Sequence, residues 1–201
     1  MTDERKQALI EEHREINTSY EWWDCVYDHF REDMEKVGIE VDDISFSGFW
    51  SQGDGASFTG YMRSKPFFEH HKLADSFPWI AKLIEMGGDF TLRIERTGHF
   101  YVHENTVSVE LTFTDMFRHT LPNDGVRAEV IEQWDYQLDA EYEGIAQAAT
   151  DIIRDYCRDL YRRLREEYEY LTSDEAVWDA IVANDLDEVD EDEDNNQEEY
   201  A

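Results

Sequence analysis

The carboxylates Glu21, Asp24, Asp28, Glu32 and Glu35 recur at three- and four-residue steps. That spacing lines one face of a helix. A row of fixed negative charge on a rigid rod does no bond-making chemistry. It does electrostatic chemistry: it attracts cationic surfaces and imitates, crudely, the charge spacing of a nucleic-acid backbone. A second acidic region, Glu166, Glu167, Glu169, Asp174, Glu175 and Asp179, lies near the C-terminus. The whole chain shares the bias. It has 49 Asp plus Glu against 18 Lys plus Arg, a formal net charge of -31 over 201 residues. Ten of the carboxylates fall between Asp185 and Ala201, so the first 184 residues still carry -21. Direct binding of nucleic acid or of an anionic membrane surface is disfavoured by this field. A basic protein is the partner it suits.

Other chemistries find less support. Gly48-Phe49-Trp50-Ser51-Gln52-Gly53-Asp54-Gly55 is glycine-rich, but it contains no Lys and is followed by a strand pattern, not by the helix a phosphate loop opens into. It reads as a hairpin turn. If it binds a small ligand or nucleotide, Phe49, Trp50, Gln52, Asp54 and Phe58 are the contacts. His70 and His71 are adjacent and point to different sides of a helix. His99 and His103 lie about 13 Å apart at strand rise. Neither pair has metal-ligand spacing, HExxH and CxxC are absent, and no metal or cofactor is expected. Ser51 and Cys25 lack a nucleophile elbow or a placed base. Arg154, Arg158, Arg162 and Arg165 form a basic stripe, but Asp151, Asp155 and Asp159 sit at helical pairing distance and should neutralise it.

Eleven Phe, eleven Tyr and six Trp supply the bulk for a folded core. No apolar run reaches the length of a membrane span, and Met1 to Glu15 is too polar for a signal peptide. Cys25 and Cys157, far apart in sequence, read as reduced thiols of a cytoplasmic protein. Arg outnumbers Lys by 13 to 5, so adaptation to high salt is an alternative source of the acidity, as is simple solubility.

The elements that must carry these residues follow from periodicity. Asp3 to Ile16 reads as a short helix. Tyr20 to Val37 reads as a second, with Ser19 as N-cap, Gly38 as stop and Trp22, Trp23, Val26, Phe30, Met34 and Val37 as its buried face. The period then falls to two. Ile44 to Ser51 and Ser57 to Met62 form a strand–turn–strand unit, with Phe46, Gly48 and Trp50 on one face. Strands are also predicted at Phe90 to Glu95, Phe100 to Val102 and Val107 to Phe113. Between them, Phe67 to Leu73 and Phe77 to Met86 read as short helices, the second stopped by Gly87-Gly88. From Val126 to Leu171 the pattern is helical, with Ile131, Trp134, Leu138, Ile145, Ala149, Ile152, Tyr156, Leu160 and Leu164 as the apolar stripe. Its length predicts a break near Glu141 to Gly144. Ser173 caps a last helix. The expected architecture is one α+β domain over residues 1–184. It has an antiparallel sheet of about five strands covered by helices, a long C-terminal helical region, and a disordered acidic tail over 185–201.

Three blocks carry a resemblance. They are Glu21-Trp22-Trp23-Asp24, the run Ile44-Ser45-Phe46-Ser47-Gly48-Phe49-Trp50-Ser51-Gln52-Gly53-Asp54-Gly55-Ala56-Ser57-Phe58-Thr59-Gly60, and Glu167-Tyr168-Glu169-Tyr170-Leu171-Thr172-Ser173-Asp174-Glu175-Ala176. In these the chain resembles a little-characterised family of bacteriophages and bacterial genomes, sometimes labelled "antitoxin of a toxin–antitoxin stability system". The resemblance implies a phage or prophage setting and a small acidic partner-binding protein. It implies no reaction, and it argues against the high-salt origin. The leading expectation is a non-enzymatic protein that binds and neutralises a basic, nucleic-acid-handling partner. That partner is a toxin nuclease or a host defence or DNA-processing factor.

Overall fold

A computed structural model describes residues 2–85, 90–98, 100–113 and 128–188, with backbone only at 113 and 128–135. It contains helix α1 (Asp3–Glu12), α2 (Asp24–Lys36), strands β1 (Ile39–Phe46) and β2 (Ala56–Arg63), α3 (Ser64–His71), a 3-10 turn at Leu73–Asp75, and α4 (Pro78–Glu85). Then come β3 (Phe90–Arg96), a 3-10 turn at Glu104–Thr106, β4 (Val107–Phe113), α5 (Ala128–Leu171) and α6 (Asp174–Ala183). The fold is α+β. Contacts divide the chain into two compact units. One is formed by residues up to Cys25 with those from Leu164, the other by Val26–Arg163. In sequence, α2 and α5 each run across the division.

In the larger unit the four strands pair antiparallel in the order β1-β2-β3-β4. The alternation of β3 and β4 sets Phe90, Leu92, Ile94, Val107, Val109 and Leu111 into the core. Phe30 of α2 meets Phe58 of β2 edge to face at 5.2 Å, and both are fully buried. Gly38 takes φ 84° and ends α2 as expected, because only a residue without Cβ adopts that conformation cheaply. Ser19 does not cap α2. Its hydroxyl donates to the Ile16 carbonyl, and the helix begins at Asp24.

The sheet has four strands among the described residues, not about five. Phe100 to Val102 is not a strand. It belongs to the β3–β4 connection, which Thr97 N–H closes onto the Thr106 carbonyl at 2.7 Å. Strand β1 also stops at Phe46, so Trp50 lies in the following loop and is exposed, not on the apolar face.

Helix α5 is continuous for 44 residues and shows no break at Glu141 to Gly144. Both residues that suggested a break serve a neighbour. The Glu141 carboxylate accepts from Trp79 N–H (3.2 Å) and Ile80 N–H (3.0 Å), satisfying donors at the start of α4 that no residue of α4 can reach. Gly144 leaves room for Phe77, whose ring would lie 3.1 Å from a Cβ there. The buried stripe of α5 is Leu138, Ile145, Ala149, Ile153, Cys157, Leu160 and Leu164. It uses Ile153 and Cys157 in place of the expected Ile152 and Tyr156, which are half-buried on its flank. The side chains of Ile131 and Trp134, His99 and the Gly87-Gly88 stop lie outside the described residues.

Helix α5 also protects the sheet edge. Thr150 Oγ1 accepts from Val109 N–H at 3.0 Å, Tyr142 donates to the Leu111 carbonyl at 2.6 Å, and Arg154 Nε donates to the Val107 carbonyl at 3.3 Å. The unpaired backbone row of β4 is thus met by side chains instead of being offered to another chain.

In the smaller unit α1 packs against α6 through Ile10, Val177 and Ile181, with Leu9, Ile16 and Trp178 around them. Arg14 binds Glu11, Asp174 and the Thr172 carbonyl, and the Asn17 amide donates to the Leu171 (3.0 Å) and Ala176 (3.1 Å) carbonyls. Ser173 caps α6 by accepting from Ala176 N–H at 3.3 Å, as its sequence position predicts. Residues 185–188 follow α6 in turns, and the acidic tail from 189 lies outside the described residues.

Candidate protein-docking surface

Helix α2 exists because its apolar residues fall on one side. Val26, Phe30 and Met34 are buried, four residues apart. The remaining arc carries the predicted carboxylates. At 3.6 residues per turn, Asp24, Asp28, Glu32 and Glu35 fall within an arc of about 80°, stepping about 4.5 to 6 Å along the axis. All four are exposed, as is Glu21 in the turn before the helix. Four of the five carboxylates thus lie on one face of α2, and Glu21 precedes the helix.

Its members differ in availability. Among the described residues the Glu21, Asp24, Glu32 and Glu35 side chains make no hydrogen bond or ion pair. Asp28 makes one long contact with Arg31 at 3.4 Å, both groups largely in solvent, which contributes little. Asp33, on the other side of the helix, is engaged instead. It accepts from Lys36 at 2.9 Å and Arg163 at 2.8 Å, and these bonds hold its carboxyl below the usual carboxylate range. The sequence did not separate Asp33 from its neighbours by charge, but its helical phase does so.

The arginines of α5 are tied down. Arg158 pairs with Asp155, Arg162 with Asp159, and Arg163 with Asp159 at 2.7 Å and Asp33 at 2.8 Å. Arg154 reaches the Val107 carbonyl, while Asp151 accepts from Gln147 at 3.0 Å and not from an arginine. Internal pairing of this stripe follows the expectation in kind, with one partner exchanged. In the C-terminal region Glu169, Glu175 and Asp179 are exposed, and Asp174 is bound by Arg14.

The alternative ligand site does not assemble. Phe58 is core, 1% exposed, and cannot line a surface pocket. Asp54 is spent on its own loop. Its Oδ2 accepts from Trp50 N–H (2.9 Å) and Ser51 N–H (2.6 Å). Phe49 packs against Phe46 and Tyr161, with ring centroids at 4.9 and 5.5 Å, while Gln52 and Trp50 face solvent. The five residues therefore point to different environments, and the segment is the β1–β2 hairpin loop. An open groove of about 340 Å³ along β2 and β3 is lined by other residues, among them Tyr61, Arg63, Lys65 and Thr91.

Neither Cys25 nor Cys157 is in a disulfide. Cys25 is exposed and Cys157 buried. Burial pushes the Cys157 thiol up to about 12, which removes it as a nucleophile. Among the described residues no group of three His, Cys, Asp or Glu side chains is placed to hold a metal ion, and no helix is long and apolar enough to cross a membrane. No curated protein and no solved structure matches the chain. A family model described as Domain of unknown function (DUF8835) matches residues 22–174, a span that includes α2, the sheet and α5, and the chain belongs to that family.

Proposed function

We propose that this is a non-enzymatic, cytoplasmic protein of a phage or prophage that docks on a basic, nucleic-acid-handling protein and neutralises it. The partner is a toxin nuclease or a host defence or DNA-processing factor. The observation that carries the reading is the exposed carboxylate row Asp24, Asp28, Glu32 and Glu35 on α2. The arginines Arg158, Arg162 and Arg163 of the same protein are meanwhile engaged with their own aspartates. The outward field is left net negative, and a groove shaped for phosphates meets carboxylates at comparable steps.

The test is competition. A partner captured on the immobilised protein at about 0.1 M salt should be released near 0.5 M, where screening contracts from about 10 Å to roughly 4 Å. Duplex DNA should displace it. Replacing Asp24, Asp28, Glu32 and Glu35 by Asn or Gln should weaken capture by about tenfold or more, at unchanged melting temperature. Capture that ignores both DNA and the neutralised row would reject the proposal.

A further inference from the structure

The two connections at one end of the sheet form an aromatic tip. The antiparallel order places the β1–β2 loop, residues 47–55, beside the described part of the β3–β4 connection, residues 97–98 and 100–106. They touch closely. A Cβ on Gly53 would lie 2.2 Å from the Tyr101 ring, and one on Gly55 would lie 2.6 Å from His103. Gly53, at φ 92°, lets the loop curl beneath that ring. Three large aromatic side chains project from the tip into solvent: Trp50 at 82%, Phe100 at 93% and Tyr101 at 54% exposure. The three rings sit on two loops that touch at Gly53 and Tyr101, and tryptophan and tyrosine are enriched at binding hot spots.

The tip is held in shape before any partner arrives. The Asp54 carboxylate fixes the backbone at Trp50 and Ser51. Phe49 roots the loop against Tyr161 of α5 at 5.5 Å and meets Trp50 edge-on at 6.3 Å. Such fixing lowers the ordering cost of binding. The charge of the tip selects the occupant. Residues 47–55 and 97–105 contain Asp54 and Glu104 but no Lys or Arg. A second copy of this chain would bring another net charge of -31 to the same place and be repelled.

We propose that the tip formed by Trp50, Phe100 and Tyr101 is a second docking element for a basic protein, which stacks arginine guanidinium groups on these rings. This deepens the reading above and rests on it for the nature of the partner. The carboxylate row supplies attraction at range. The aromatic faces supply contact, and they prefer guanidinium to ammonium because the planar ion stacks and is weakly hydrated.

The experiment uses two short fluorescent peptides, one alternating Arg with Ser and one alternating Lys with Ser, titrated with the full chain at about 0.1 M salt. The Trp50→Ala/Phe100→Ala variant should lose about tenfold or more in affinity for the arginine peptide and less than about threefold for the lysine peptide. Trp50→Phe should keep most of the difference, which separates stacking from a folding defect, and near-ultraviolet circular dichroism checks the fold. Equal losses for the two peptides, or none, would overturn the proposal. Sedimentation showing a dimer that Trp50→Ala/Phe100→Ala dissolves would overturn it in favour of a second copy. The parent reading fails separately. If neutralising Asp24, Asp28, Glu32 and Glu35 leaves both peptides bound while the tip variant still discriminates, the row falls and the tip stands.

Discussion

The Thr150 hydroxyl accepts from the Val109 backbone N–H at 3.0 Å and donates to the Ala146 carbonyl at 2.8 Å. Thr150 thus ties the free edge of β4 to the backbone of α5, between the contacts made by Tyr142 and Arg154. The bond is buried, and Thr150 itself is 6% exposed. Thr150→Val keeps the shape and removes the acceptor, so Val109 N–H is left without a partner. A loss of about 1 to 3 kcal/mol in unfolding free energy is expected. Thr150→Ser restores the acceptor and should recover most of it. Urea denaturation of the three proteins measures the difference, and equal midpoints for Thr150→Val and the parent would contradict it.

Glu141 makes a comparable bond between elements with a charged group. Its carboxylate takes the Trp79 and Ile80 N–H groups at the N-terminus of α4. An eight-residue helix has little stability of its own, and an anion at its N-terminus also meets the favourable end of its dipole. Glu141→Ala should cost about 1 to 2 kcal/mol, with Glu141→Gln intermediate because one carbonyl oxygen remains. Amide exchange localises the effect. Protection should fall first in Pro78–Glu85, and uniform loss across the sheet would refute the capping role.

These two contacts explain which parts of the fold were legible. Alternation at Phe90, Leu92 and Ile94 and at Val107, Val109 and Leu111 gives the strands directly, because one face is buried. The three- and four-residue recurrence in α2 separates Val26, Phe30 and Met34 from the carboxylate row. Glu141 and Gly144, by contrast, resemble a helix break until Phe77 and α4 are placed beside them. The sequence pattern places the stripe of α5 one residue out of phase at Ile152 and Tyr156, where Ile153 and Cys157 are the buried residues. Three- and four-residue steps admit either phase here, and the packing selects the smaller Cys157 against the backbone of Phe58. Phe100 to Val102 has strand composition, but its partner is the Gly53 loop and not a neighbouring strand. The tip is a product of tertiary contact, and the only trace of it in sequence is a glycine-rich loop with aromatic neighbours.

The two thiols should react very differently. Cys25 is exposed, while Cys157 is fully buried with its thiol raised to about 12. Iodoacetamide at neutral pH should label Cys25 alone in the folded protein. Label at Cys157 should appear only with denaturant, at a rate that follows unfolding. Mass spectrometry of tryptic peptides distinguishes the sites. Prompt labelling of Cys157 under native conditions would show that α5 is not seated on β2.

His71 gives the fold a pH dependence whose sign is fixed. It is half-buried on α3, stacked near Phe67 at 4.6 Å, beside His70 at 4.8 Å, with Nε2 3.3 Å from the Tyr156 hydroxyl. Burial first, and the neighbouring His70 second, lower its pKa from 6.5 to about 4. In the unfolded chain the imidazole gains its proton near 6.5. In the folded chain it does so only near 4. Above pH 6.5 both states are neutral and the contribution to stability is complete. As pH falls from 6.5 towards 4 the unfolded state binds the proton first, and stability declines; below about 4 the decline from this residue ends. His71→Gln cannot titrate and should flatten the denaturation midpoint between pH 6.5 and 4 relative to the parent, while a histidine proton resonance in the parent should titrate near 4. An unchanged slope in His71→Gln, together with a His71 resonance titrating near 6.5, would mean that the ring is solvated and that the α3–α5 contact at Tyr156 does not form.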